Sequence, residues 1–300
     1  METKEPASGL WTPEEGQISP RSSVAEIVNA YSLFLEVCHP DHHKQFEARL
    51  QRNPDAARSE AVVFSWLRAQ GYWPQVAESL GKGGMDFLCL PKSDDPFLIE
   101  VTSLNKEAVE RRSGLPDELD EVARSFSMIT PNLWSKSLHK APQLSGYDFP
   151  RVLAICLTHV GASVLLGTLA AEWLMTSEPR IALPIAKEEP SSTRNETDLK
   201  TAAFFEIHDG AIVPLRQSIS AILLISIWDN QLDIIGMIHP AAAVPLDYRI
   251  FREVPFLKVK WPIIDYTITT EWVIGRPNPC HFHHHKVKMI ETELRGETNQ

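Results

Sequence analysis

Between residues 58 and 104 the chain sets carboxylates into hydrophobic runs. Glu60 heads one apolar segment, Asp86 sits in Gly83-Gly84-Met85-Asp86-Phe87-Leu88, and Glu100 lies inside Phe97-Leu98-Ile99-Glu100-Val101-Thr102-Ser103-Leu104. The last run alternates like a strand. Leu98, Glu100, Thr102 and Leu104 point one way, and Phe97, Ile99, Val101 and Ser103 the other. Burying an ionised carboxylate is unfavourable unless a metal ion or hydrogen bonds compensate it. A metal-ion site is therefore the first expectation for this segment.

The flanking elements follow from local signals. Ser22-Ser23 can cap a helix through Val24–Cys38. Asn53 as N-cap, Pro54 at the first position and Gly71 past the end delimit a second helix. On it Glu60, Val63, Phe64 and Leu67 share a face, so Glu60 either turns inward with the apolar stripe or snorkels to water from its boundary. Tyr72–Val76, Met85–Leu90 and Phe97–Leu104 read as strands separated by turns. A helical region is expected from about Pro116 to Met128. Thr130 and Pro131 then start a short helix that Pro142 must end or kink, with an apolar stripe of Trp134, Leu138 and Ala141 and with Leu133 beside it. Lys140 falls near the edge of that stripe and Lys136 more nearly opposite. The apolar run Arg151–His159 reads as a buried central strand, and Val164–Met175 as a helix on the sheet. Residues 177–200 are rich in Pro, Glu, Ser and Thr and read as a loop. Ser218–Trp228 and Leu232–His239 read as a hairpin, and Lys258–Ile274 as one or two late strands.

These elements predict one α/β domain over residues 22–275, with a mobile tail at 1–21 and a polar, histidine-containing tail at 276–300. At 300 residues, 43% of them hydrophobic, the chain can form a substantial core. No apolar stretch is long enough for a membrane helix, and the polar N-terminus has no signal-like apolar segment, so a cytoplasmic location is expected. Cys38, Cys89, Cys156 and Cys280 are scattered, which favours reduced thiols. A net charge of −10 opposes nonspecific adhesion to nucleic acid. A local basic groove is still open: Lys106, Arg111, Arg112, Arg124, Lys136 and Lys140 cluster after Glu100, although acids are interspersed and a solvated charged face is the alternative.

A helix with Glu60, a strand with Asp86, a strand with Glu100, then a helix and a strand resembles the PD-(D/E)xK nuclease superfamily, across roughly residues 54–160. The resemblance implies a restriction-endonuclease-like mixed central sheet flanked by helices, here followed by a β-rich elaboration at 161–275. It implies a nuclease that hydrolyses DNA with Mg²⁺ or Mn²⁺, in DNA defence or repair. Asp86 and Glu100 would hold the metal, with Glu60 joining as a ligand through water or orienting the nucleophile. DNA is the implied partner, with no membrane involved and homodimerisation left open. The motif departs at one place: Glu100-Val101-Thr102 puts threonine where the family has lysine. Thr102 can hydrogen-bond but brings no charge. Some members carry the functional lysine on the following helix, so Lys140, or less well Lys136, would supply it. Gln143 is near but beyond Pro142. The rival readings are a catalytically degenerate nuclease fold serving as a binding or assembly module, and an unrelated α/β protein whose acids are ordinary surface positions.

Two histidine groups, His39/His42/His43 after Cys38 and His281/His283/His284/His285 after Cys280, have metal-ligand residue types without a recognised zinc spacing. His159 and His239 end apolar runs and are expected at the core edge.

Overall fold

A computed structural model describes residues 23–78, 84–90, 95–118, 126–182, 194–228, 231–264, 266–273 and 283–287. Three helices come first: α1 (Val24–Cys38), α2 (Pro40–Arg52) and α3 (Pro54–Ala69). Ser23 and Glu26 form a reciprocal capping box at the start of α1, satisfying two otherwise orphaned amides. The Asn53 side chain accepts from the Ala56 amide at 3.3 Å, with Pro54 at the first position of α3. α2 was not foreseen. Its only fully buried side chain is Phe46, so it carries little apolar periodicity of its own.

Strands β1 (Trp73–Val76), β2 (Phe87–Leu90) and β3 (Phe97–Ser103) follow, then helices α4 (Lys106–Ser113) and α5 (Thr130–Lys140), then strand β4 (Arg151–Leu157). α4, which Asn105 caps and Gly114 ends in the left-handed region at φ +75°, precedes the stretch Pro116–Met128 expected to be helical, and most of that stretch lies outside the described residues. Residues 114–118 are non-helical and 119–125 lie outside the described residues. Helices α6 (Ala162–Leu165) and α7 (Thr168–Thr176) split the single helix expected there. A Cβ on Gly167 would stand 2.7 Å from the Ser163 carbonyl oxygen, so the break has a tight backbone approach that only glycine permits.

The rest is mainly β: β5 (Arg180–Ala182), β6 (Arg194–Thr197), β7 (Phe205–His208), β8 (Ala211–Pro214), β9 (Ala221–Trp228), β10 (Gln231–Ile238), β11 (Phe256–Val259), β12 (Thr267–Val273) and β13 (His283–Val287). Two strands therefore stand in the stretch read as a loop, and β13 stands in the stretch read as a polar tail. β13 pairs with β12, so His283, His284 and His285 belong to a sheet strand; His281 lies outside the described residues.

The main sheet among the described residues runs β1-β2-β3-β4-β9-β10-β11-β12-β13-β6-β5. β1, β2 and β3 are antiparallel neighbours, β3 and β4 are parallel, and β4 and β9 are parallel. The architecture is α/β, a large mixed central sheet flanked by helices. No described helix is long and apolar enough to cross a membrane.

Each sheet face has its own core. One packs α1 and α3 (Tyr31, Phe64, Leu67) against Phe87, Ile99, Val152 and Leu223. The other packs α5 and α7 (Leu133, Leu174) against Leu98, Leu153, Ile155 and Leu224. The central strand β4 is buried at every position, as its apolar run requires. Cys89 and Cys156 are free thiols in the core and Cys38 is a free exposed one; Cys280 lies outside the described residues.

Candidate active site

Strand alternation decides where the acids go. Glu100 and Thr102 share the face of β3 that meets α5, together with Leu98 and Leu104. Phe87 pairs with Ile99 at the end of the antiparallel β2–β3 ladder, Asp86 is the residue just before it, and the charges of both Glu100 and Glu60 act on the Asp86 carboxyl. β2 begins at Phe87, one residue after Asp86, because the side chain takes over there: Asp86 Oδ2 accepts the Val101 amide at 2.6 Å. On the other side the Asp86 carbonyl accepts from the Ala77 amide at 2.9 Å. Asp86 is thus anchored between β1 and β3.

Glu60 approaches from the α1–α3 layer and turns inward, its side chain 12% exposed. Both of its oxygens are engaged. Oε1 accepts from the Tyr31 hydroxyl at 2.9 Å, and Oε2 pairs with Arg49 from α2. Arg49 also reaches Glu78 Oε2 at 3.6 Å. One guanidinium therefore bridges two carboxylates beside Asp86.

Glu100 is nearly inaccessible, its side chain 6% exposed. Lys140 Nζ donates to its Oε1 at 2.6 Å and to Gln143 Oε1 at 2.9 Å. Glu100 Oε2 is buried with no hydrogen-bond partner. An orphaned buried carboxylate oxygen is unfavourable and marks a position where a cation or a donor would be stabilised. Lys136 Nζ approaches Thr102 Oγ1 at 3.4 Å. Both lysines thus converge on the Glu100–Thr102 face of β3.

Lys136 is where the helix was misread. The inward face of α5 carries Leu133 and Ser137, followed by Ala141, while Leu138 is exposed. Ser137 is buried because its hydroxyl donates to the Trp134 carbonyl at 2.7 Å, which removes the need for water. With that rotation Lys136 and Lys140, one turn apart, flank the buried stripe. The sequence signal was the i, i+4 spacing of the two lysines. Tyr31, Arg49 and Glu78 were also missed, and nothing local to them points to Asp86.

Burial raises the carboxyl pKa values throughout. Asp86 lies well above the ordinary 3.8, first because it is withdrawn from solvent and then because the charges of Glu100 and Glu60 repel its own. Glu60 is raised by burial, against the opposing pull of Arg49 and the Tyr31 hydroxyl. Glu100 is raised by burial, against the opposing hydrogen bond and charge of Lys140. In Arg49, burial is offset by Glu60, Glu78 and Asp86, which hold the guanidinium firmly charged.

The sign of these shifts makes a prediction. A carboxyl whose folded-state pKa is raised favours folding fully below its unfolded value, and that contribution is lost as pH rises through the folded value. Asp86→Asn cannot ionise. In metal-free buffer it should melt above the wild type at neutral pH, with the gap closing toward about pH 4. Thermal melts across that range check this, and a gap independent of pH would show that Asp86 carries no such penalty.

The donor set suits a hard divalent cation: two carboxylates, one just before β2 and one in the middle of β3, the latter with a free oxygen, in a site where Mg²⁺ would retain several waters. Among the described residues, no three Asp, Glu, His or Cys side chains form a ready-made ligand set. Glu60 is already committed to Tyr31 and Arg49, so as placed here it supports the pair from behind. The first histidine group also forms local contacts: His43 Nε2 lies 3.0 Å from Ser32 Oγ, and His42 Nε2 donates to the Glu78 carbonyl at 2.9 Å. His159 and His239 are buried, and His239 Nε2 donates to the Leu215 carbonyl at 2.6 Å.

Searches of protein-family models, curated proteins and solved structures found no match to this chain.

Proposed function

We propose that this chain is a divalent-metal-dependent nuclease, with DNA as its foremost substrate, built on a restriction-endonuclease-like core. The element order α3-β1-β2-β3-α4-α5-β4, with three antiparallel strands followed by a parallel fourth, supports this reading. The observation that carries it is the 2.6 Å contact between Lys140 and Glu100, beside the free Glu100 oxygen and close enough to Asp86 for the two acids to repel. A lysine missing at position 102 is replaced in space by one from α5.

Asp86 and Glu100 would hold Mg²⁺ or Mn²⁺. A bound divalent ion supplies phosphate polarisation and lowers the pKa of an attacking water. The chain's own residues do the rest. The Val101 amide fixes the Asp86 carboxylate, and Lys140 favours the charged form of Glu100 that the ion requires, against the effect of its burial. Lys140 also brings a positive charge to where negative charge builds on the phosphate, and Lys136 adds a second beside Thr102. Glu60, pinned by Arg49 and Tyr31, orients the site from the opposite helical layer.

The test is cleavage of plasmid and of single-stranded DNA by the purified chain in Mg²⁺ or Mn²⁺. Cleavage abolished by EDTA and by Asp86→Asn is expected. If the wild type cuts neither substrate, and Asp86→Asn leaves any metal-induced rise in melting temperature unchanged, the enzyme reading fails. The uncharged Thr102 at the motif position favours the binding or assembly module as the second reading.

A further inference from the structure

Between α4 and α5, at the C-terminal end of β3, lies an open groove of about 540 Å³ that begins at Lys140. Its polar lining includes Asn105, Arg112, Asn132, Lys136, His139 and Lys140. Among the described residues, no aspartate or glutamate lines it, although the chain as a whole carries a net charge of −10. A wall with cationic side chains and no carboxylates on so acidic a protein is an electrostatic exception that needs a cause.

The cations are also poorly compensated within the protein. Lys140 has Glu100, but Lys136 is half-buried and its closest hydrogen-bond partner is the neutral Thr102 hydroxyl. Burial, then the neighbouring Lys140 charge, lowers the Lys136 pKa, which an anion in the groove would reverse. Arg112 is exposed and forms no ion pair among the described residues. His139 donates from Nδ1 to the Ser135 carbonyl at 2.7 Å, which leaves Nε2 as its available nitrogen. The asparagines and Ser135 add hydrogen-bonding groups without charge. Cations on both helices with neutral polar groups among them suit an extended polyanion that runs between the two.

We infer that the α4–α5 groove seats the phosphodiester backbone of a nucleic acid strand next to the scissile position, with Arg112 as a phosphate contact. This rests on the nuclease reading for its scissile position only. α4 lies between β3 and α5, so Arg112 comes from a different helix than Lys136 and Lys140. Contacts of this kind set register and affinity without reading bases.

Binding can be separated from cleavage by working with the full chain carrying Asp86→Asn and measuring fluorescence anisotropy of a labelled single-stranded oligonucleotide, as DNA and as RNA, over a KCl series. Adding Arg112→Glu should weaken binding about tenfold and lower the salt slope by about one, regardless of base sequence. Arg111→Glu is the control, since Arg111 is equally exposed but does not line the groove. Its effect should stay below about twofold. An Arg112-dependent loss in either oligonucleotide supports the groove and shows which sugar it accepts. Equal effects of the two reversals, or no binding by the unreversed chain, would overturn it. Salt-sensitive, Arg112-dependent binding by a wild type that never cleaves would keep the groove and remove the enzyme. Cleavage with a KM and salt response untouched by Arg112→Glu would keep the enzyme and remove the groove.

Discussion

On the proposed nuclease reading, Lys140→Ala should lower DNA cleavage by about a hundredfold or more, because it deletes the charge that would stand in for the motif lysine. The alanine variant also strips Glu100 of its partner at 2.6 Å, so destabilisation could masquerade as lost chemistry. Lys140→Gln separates the two, since its amide can still donate to Glu100 while bringing no charge. Both variants should lose cleavage, and the glutamine variant should keep a melting temperature close to wild type. Thr102→Lys then asks whether position matters or only charge. In the wild type it adds a third cation beside Lys136 and Lys140, and no gain in rate is expected. In the Lys140→Gln background it should restore part of the lost rate. Wild-type cleavage by Lys140→Ala would show that α5 does not supply the missing lysine.

The second large effect is on stability. Arg49→Ala should cost about 3 kcal/mol, near the lower end expected when one member of a buried ion pair is removed, because Arg49 itself is partly exposed. Glu60, with a side chain 12% exposed, would keep only the Tyr31 hydroxyl, and Glu78 would lose its cation as well. Urea denaturation of Arg49→Ala, Glu60→Gln and the double variant measures the coupling. The double variant should be more stable than the sum of the single losses implies, because Glu60→Gln removes the buried charge that Arg49→Ala strands. Two small losses that simply add would make this an ordinary solvated pair.

Much of the fold was readable from local rules. The cap at Ser23, the Asn53-Pro54 start of α3, the run of β3 and the apolar β4 each follow from hydrogen-bonding capacity or from side-chain period, and they stand where those rules put them. The failures share a physical cause. α2 and β13 lack an apolar pattern of their own: α2 has one fully buried side chain, and β13 is read from the sequence His283-His284-His285-Lys286-Val287. Such elements are held by their neighbours, and a polar sequence in isolation carries no sign of that. The α5 stripe was misjudged because a buried serine satisfied by its own helix looks, in sequence, like a solvent-facing residue.

For the site, the sequence alone determined that Glu100 and Thr102 share a strand face, that Glu60 joins an apolar helix face, and that position 102 carries no charge. A strand repeats every two residues and an α-helix every 3.6, so these relations are set by backbone geometry. Only the tertiary structure decided which cations meet those acids. Lys140 meets Glu100 across 40 positions because the rotation of α5 is fixed by one sheet-face core, and Arg49 meets Glu60 because α2 packs beside α3 in the layer on the other face. Charge–charge contacts depend on distances of a few ångströms between elements, and those distances are set by how two separate cores pack against one sheet.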